Sequence, residues 1–300
     1  QEHSYTSTLD FSTDANYQWS LHYENKAGNR VDGTENGNTT IETVGEHVWG
    51  FTVDTKAPRE EKTSITLETS VWNKLLSALT FGVFANYSVS ALAVSTDDIS
   101  PIEAEDIKYY KSNEYRALTA TELEEFYTSG KFSQDVITVD SDEAFVIYAR
   151  IMDAAGNVLY VSTDGVVVDL TEAFVELTQG EPNQNGFYNS DVEFGIFVNE
   201  KIVTDKKFSG IKKVDYVVTC DGKVTHRENL YTFQAEEPEK TVKKTGEVIL
   251  DSDTGLPETF QDTILVDSKE NDGDHVQVTV IVEDHAGNRS VKESGFFSIC

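Results

Sequence analysis

Asp153 and Asn157 flank Gly156, Asp284 and Asn288 flank Gly287, and Asn25 and Asn29 flank Gly28, in the phrases DAAGN, DHAGN and NKAGN. Side-chain oxygens at this spacing could ligate calcium, a hard cation that takes six to eight oxygens. Each phrase offers at most two Asp or Asn side chains plus carbonyls, so a calcium site there needs a neighbouring acid. The same residues also make turns. Asp or Asn three residues before a glycine bonds its own backbone, and the glycine supplies the left-handed conformation that closes a short hairpin. The turn is the expected account, and calcium at the tips is the alternative. DSDTG (Asp251–Gly255) and ENDGD (Glu270–Asp274) are also oxygen-rich. Neither has the twelve-residue spacing with a terminal Glu of an EF-hand, so solvated loops are expected there.

Other chemistry finds little support. There is no Gly-x-Ser-x-Gly and no cysteine with an evident histidine partner. His3, His22, His47, His226, His275 and His285 are scattered, without metal-ligand spacing. TSGKF (Thr128–Phe132) lacks the upstream glycine of a phosphate loop. Glu124 and Glu125 read as a solvated face. LPETF (Leu256–Phe260) is similar to the cell-wall sorting pentapeptide, but Phe260 stands where the cleaved glycine belongs, and a loop is expected. Asn38, Asn86 and Asn288 match the glycosylation acceptor pattern as chance occurrences. Neither an enzyme nor a cofactor is expected. Cys220 and Cys300 have no metal or redox spacing; a disulfide and two free thiols are both open.

Composition narrows the function classes. Lys and Arg total 24 against 53 acidic residues, a net charge of −29. Such a chain repels phosphate backbones and anionic membrane surfaces, so nucleic acid is not an expected partner, and with no run of eighteen apolar residues membrane insertion is not expected either. Hydrophobic residues make up 38%, enough for packed cores. No signal peptide is visible, and LLSALTFGVF (Leu75–Phe84) is too short to span a bilayer.

The elements that carry the AGN phrases follow from their upstream flanks. Reading back in steps of two gives Val282, Val280, Val278 and Val276; Ile151, Ala149, Ile147 and Phe145; and Tyr23, Leu21, Trp19 and Tyr17. The positions between are mostly polar. This alternation predicts a strand with one buried face, in one register in three copies of a repeated unit. A returning strand follows at Val158–Ser162. FTVDTKAPRE and VVVDLTEAFVEL read as short joints, dividing the chain into 1–56, 57–169 and 170–300. The first segment reads as a truncated or reduced module. VWNKLLSAL (Val71–Leu79) is more helical in pattern, whereas LTATELEEFYTSGKF (Leu118–Phe132) is the one clear helix. Thr119 and Glu122 form its capping box, Gly130 ends it, and Leu123, Phe126 and Tyr127 share its packed face. The fold class is all-β: tandem Ig-like β-sandwich modules with one short helix inserted in the middle module.

VDTKAP, VWNKLLSALTFGVF, the Leu-Thr-x-x-Glu-Leu helix and DAAGNVLYVSTDGVVVD resemble the bacterial Ig-like repeats of Gram-positive cell-surface proteins. NGFYNSDVEFGIFV, SGIKKVDYVV and DHAGNRS resemble a second repeat type from the same proteins. VDLTEA departs by lacking the proline, and Cys300 stands in place of Asp. The resemblance implies an extracellular protein, on a bacterial cell surface or secreted. Some gut-commensal members are immunoglobulin-binding and superantigen-like, engaging the variable-domain framework, and this tandem is similar to that subgroup. The implied partner is therefore host immunoglobulin, with a monomer expected. A structural stalk and a carbohydrate-binding adhesin are the alternatives. The adhesin predicts clustered exposed tryptophans, and Trp19, Trp49 and Trp72 are dispersed in the sequence.

Binding would use what a bare sandwich lacks, and the middle module has an excursion from Asp98 to Lys131. It contains Tyr109, Tyr110, Tyr115, Arg116 and Tyr127, residue types enriched at interface hot spots. One of Tyr109 and Tyr110 must point inward, and Tyr127 shares the helix's packed face. Tyr115 and Arg116, before the helix, are the best candidates, with Tyr110 beside them and Asn113, Glu122 and Glu125 as the rim.

Overall fold

The computed structural model describes residues 8–20, 22–24, 26–28, 30–32, 48–68, 70–200, 208–241, 245–252 and 254–300. Within them the chain is a tandem of β-sandwich modules with a single α-helix, Ala120–Thr128. Described strands pair only within the segments 1–56, 57–169 and 170–300.

In the first segment Ala15–Ser20 pairs antiparallel with Val48–Val53, and His22–Glu24 with Arg30–Asp32. Tyr17 is half-buried against Phe11 and Phe51, with ring centroids at 4.9 and 5.4 Å. The inward placement expected of Trp19, Leu21 and Tyr23 lies outside the described side chains. Trp19 and Trp49, distant in the sequence, are cross-strand partners.

The middle module stacks two sheets. One runs Thr138–Val139, Val89–Val94, Ser64–Leu67, Ser70–Trp72. The other runs Val158–Ser162, Glu143–Met152, Val166–Val168, Val83–Ala85, and Ile107–Ser112 also pairs with Glu143–Met152. Val166–Val168 and Val83–Ala85 are parallel. Phe145, Ile147, Ala149 and Ile151 are fully buried against Ile65, Leu67, Val89, Ala91 and Ala93, as the alternation requires. Each such side chain contributes about 1.5–3 kcal/mol over exposure.

One-sided burial fails in this module. Val146 and Tyr148, on the other face of the same strand, are also fully buried, with Leu118 and Leu123 of the helical excursion. The excursion roofs the second face, so Glu143–Met152 is covered on both. Tyr109 and Tyr110 accordingly both turn inward, Tyr109 to the sandwich core and Tyr110 to the aromatic cluster under the helix.

The helix forms where its local signals place it. Glu122 N–H donates to Thr119 Oγ1, and Thr119 N–H donates back to Glu122 Oε2 at 2.8 Å. Leu123 is fully buried, Phe126 and Tyr127 are half-buried, and Gly130 has φ +79° just past the end. Val71–Leu79, by contrast, is not a helix. After Ser70–Trp72 it is an irregular segment whose Leu75 and Leu79 pack on the outer cluster. Its backbone is satisfied by the neighbouring strand, with Leu76 N–H donating to Ser162 Oγ and Ser162 N–H to Lys74 O.

The third module pairs Phe174–Gln179, Val192–Asn199, Pro257–Val266, Glu247–Leu250 in one sheet. The other is Lys223–Thr232, Ile211–Cys220, Gly273–Asp284, Arg289–Glu293, with Phe297–Ile299 also on Gly273–Asp284. Val276, Val278, Val280 and Val282 all face the core, while Gln277, Thr279 and Ile281 are half-exposed. LPETF is not a loop: Pro257 opens a strand and Phe260 is fully buried, because alternation from Phe260 through Asp262 and Ile264 to Val266 carries the inward face. In DSDTG, Asp251 is buried and accepts from Thr254 N–H, where a solvated side chain was expected. Cys220 and Cys300 are free thiols.

Candidate functional site

Tyr115 and Arg116 lie in the approach to the helix. Tyr115 is 42% exposed, and its ring lies 4.7 Å from that of Phe81. Phe81 rests directly on the Gly165 backbone, where a Cβ would come within 2.3 Å of its ring. Arg116 is held between Glu114 and Glu122, both at 2.9 Å. Glu122 thus caps the helix and anchors the arginine, and the Thr119 backbone N–H, then its hydroxyl, holds its carboxyl below the usual range. Asn113 donates to Glu143 Oε1 at 2.7 Å and to Ala144 O, beside the Lys111–Glu143 ion pair. Glu125 is on the solvent side of the helix, lining a shallow depression with Thr121, Glu124, Thr128 and Ser129.

Tyr110 sits apart from this group, beneath the helix. Its ring meets Phe126, Phe132 and Tyr148 at 5.2, 5.5 and 6.4 Å, and burial raises its phenol above the ordinary range. Tyr115, Arg116 and Glu122 are therefore together at the helix start, Asn113 follows the end of the strand Ile107–Ser112, and Tyr110 lies under the helix away from them. Glu124 is not a purely solvated side chain. It accepts from Tyr160 Oη at 2.5 Å and pairs with Arg150, whose guanidinium stacks 3.8 Å from the Tyr127 ring.

The AGN phrases are turns, with Gly28, Gly156 and Gly287 at φ +81°, +93° and +94°. Asp153 Oδ1 accepts from the N–H groups of Ala155 and Asn157, and Asp284 Oδ1 from those of Gly287 and Asn288. The final asparagine does more than close the turn. Asn157 Nδ2 donates to Asp54 O at 3.2 Å, and Asn288 Nδ2 to Asp169 O at 2.8 Å. Each clamps the backbone that leaves the preceding module. Sequence reading missed this role, although the asparagine's recurrence after all three glycines was its signal. At the second joint, Phe84 also meets the His285 ring at 5.4 Å.

No family model and no curated protein matches the sequence. Solved structures similar to it include the fibronectin(III)-like modules of Clostridium thermocellum CbhA, at 12% identity and TM-score 0.29, covering 78% of this chain and 94% of that one. The adhesin InvE of Yersinia pseudotuberculosis is similar at 12% identity and TM-score 0.25, covering 80% of this chain and 60% of that one.

Proposed function

We propose that the chain is a non-enzymatic segment of a bacterial surface array, in which it acts as a spacer that sets its modules in fixed succession. The observation supporting this reading is the clamp repeated at both joints, Asn157 on Asp54 O and Asn288 on Asp169 O. Modules meant to move independently would gain nothing from a loop side chain bonding the backbone that leaves the previous module. The test is NMR relaxation on the wild-type chain and on the Asn157→Ala, Asn288→Ala double variant. Modules of the wild type should tumble jointly and those of the variant more independently; identical relaxation would sink the reading.

Binding of a host immunoglobulin variable region is the second reading, favoured by the half-exposed Tyr115 ring beside an Arg116 already fixed by two carboxylates. Such preorganised aromatic and arginine side chains suit an interface hot spot. Serum passed over the immobilised chain should then yield immunoglobulin. Tyr115→Ala with Arg116→Ala should weaken that binding by about 2 kcal/mol or more. Tm should stay nearly unchanged, since exposed ion pairs contribute little. A blank eluate leaves the spacer reading standing alone.

A further inference from the structure

We propose that Asp169, Glu200 and Asp284 hold a Ca2+ ion at the joint between the second and third sandwiches. The three residues come from three places: the linker, the end of the strand Val192–Asn199, and the DHAGN turn. All are buried, at 1%, 7% and 1% exposure, and one carboxylate oxygen from each lies within 4.8 Å of the others.

Two of these side chains have local explanations. Asp284 organises its turn, and Asp169 accepts from Ser209 N–H at 2.6 Å and from Thr171 N–H. Glu200 has none for Oε1, which is buried without a hydrogen-bond partner, and one oxygen of its carboxylate lies within 4.8 Å of the other two carboxylates. A buried, unpaired carboxylate costs several kcal/mol, and its neighbours here add repulsion. Among the described residues, no Lys or Arg pairs with any of the three. A cation is the missing partner that satisfies the set.

The chemistry of the donors selects the ion. Hard carboxylate oxygens suit calcium, magnesium or manganese rather than zinc or copper. At calcium's ligand distances of about 2.3–2.6 Å, two oxygens on one ion stand at most about 5 Å apart, which accommodates this spread. Magnesium's shorter bonds and strict octahedron would require the three groups to close in. Water fills the remaining positions.

The first joint has the same layout. Asp54 of the linker, Asp97 beyond the strand Val89–Val94, and Asp153 of DAAGN also bring oxygens within 4.8 Å, though Asp54 and Asp97 are only half-buried. The acid that an AGN turn lacks on its own is thus supplied twice by the same two neighbours. At the second joint Asp169 is held on both sides, its N–H donating to Ala85 O and its carboxylate receiving the Ser209 N–H. An ion there joins the second module to the third, whatever the array binds elsewhere.

The test uses the purified 300-residue chain stripped with EDTA and titrated with Ca2+ by calorimetry, beside Glu200→Gln, which keeps the side chain's shape and removes its charge. The wild type should take up one more Ca2+ than Glu200→Gln, and Ca2+ should raise the wild-type Tm by more than it raises the variant's. Equal uptake by the two folded proteins overturns the assignment, as does a wild-type Tm indifferent to Ca2+. Uptake of Mg2+ in preference to Ca2+ overturns the choice of ion. Should Glu200→Gln fail to fold, Asp169→Asn is judged by the same criteria.

Discussion

Burial, followed by the charges of Asp284 and Asp169, pushes the Glu200 carboxyl up to about 9, and burial raises Asp284 to about 6. Both values exceed those of the unfolded chain, so without metal the folded state holds protons that the unfolded state releases. The stability these groups contribute is whole below about pH 4 and is lost as pH rises through 6 and on toward 9. In EDTA, denaturant unfolding should therefore show lower stability at pH 8 than at pH 5, and Glu200→Gln should flatten that slope. A wild-type slope of the opposite sign would contradict the placement of Glu200. Little of this was legible in the sequence. Asp153 and Asp284 were recognisable as turn residues because their partners are within four positions. Asp54 and Asp169 stood out only as joint residues, and Glu200 is one acid among 53 until folding brings distant segments together. Asn157 and Asn288 hid in the same way, since their outward bonds span 103 and 119 positions.

The helix is the element whose logic is most local, and it was legible for that reason. Thr119 and Glu122 are three positions apart and satisfy each other's backbone N–H groups. Thr119→Ala should destabilise the chain by about 1 kcal/mol in denaturant unfolding, with Thr119→Ser restoring most of the loss. Failure of the serine to rescue would mean that the threonine methyl, rather than the cap, matters. Val71–Leu79 misled because an irregular segment laid across a sheet can present apolar residues at helical spacing. Leu75 and Leu79 are so spaced because both reach the outer aromatic cluster, whereas the backbone between them bonds Ser162. Tyr110 misled for a related reason. Strand alternation identifies two faces but does not say that a helix will cover the second, and Leu118, Leu123 and Phe126 do so.

Over the whole chain, the fold class was readable from periodicity and turn chemistry, since the second and third AGN phrases each follow a strand whose inward face is written at every second residue. How the modules connect was less so, because the joints depend on contacts between a linker and loops more than a hundred residues further along the chain. One feature of the middle module bears on how such a connection carries tension. Val166–Val168, the last strand before the linker, runs parallel to Val83–Ala85 and antiparallel to Glu143–Phe145. A pull on the chain beyond Asp169 draws this strand lengthwise between two neighbours, so its ladder hydrogen bonds are sheared together instead of being unzipped singly. The middle module should accordingly yield at a sharp peak in single-molecule force spectroscopy. Val167→Pro, which removes one N–H from that ladder, should lower the peak force more than a proline placed in the exposed loop at Gln134, and equal peaks would place the mechanical clamp on another strand.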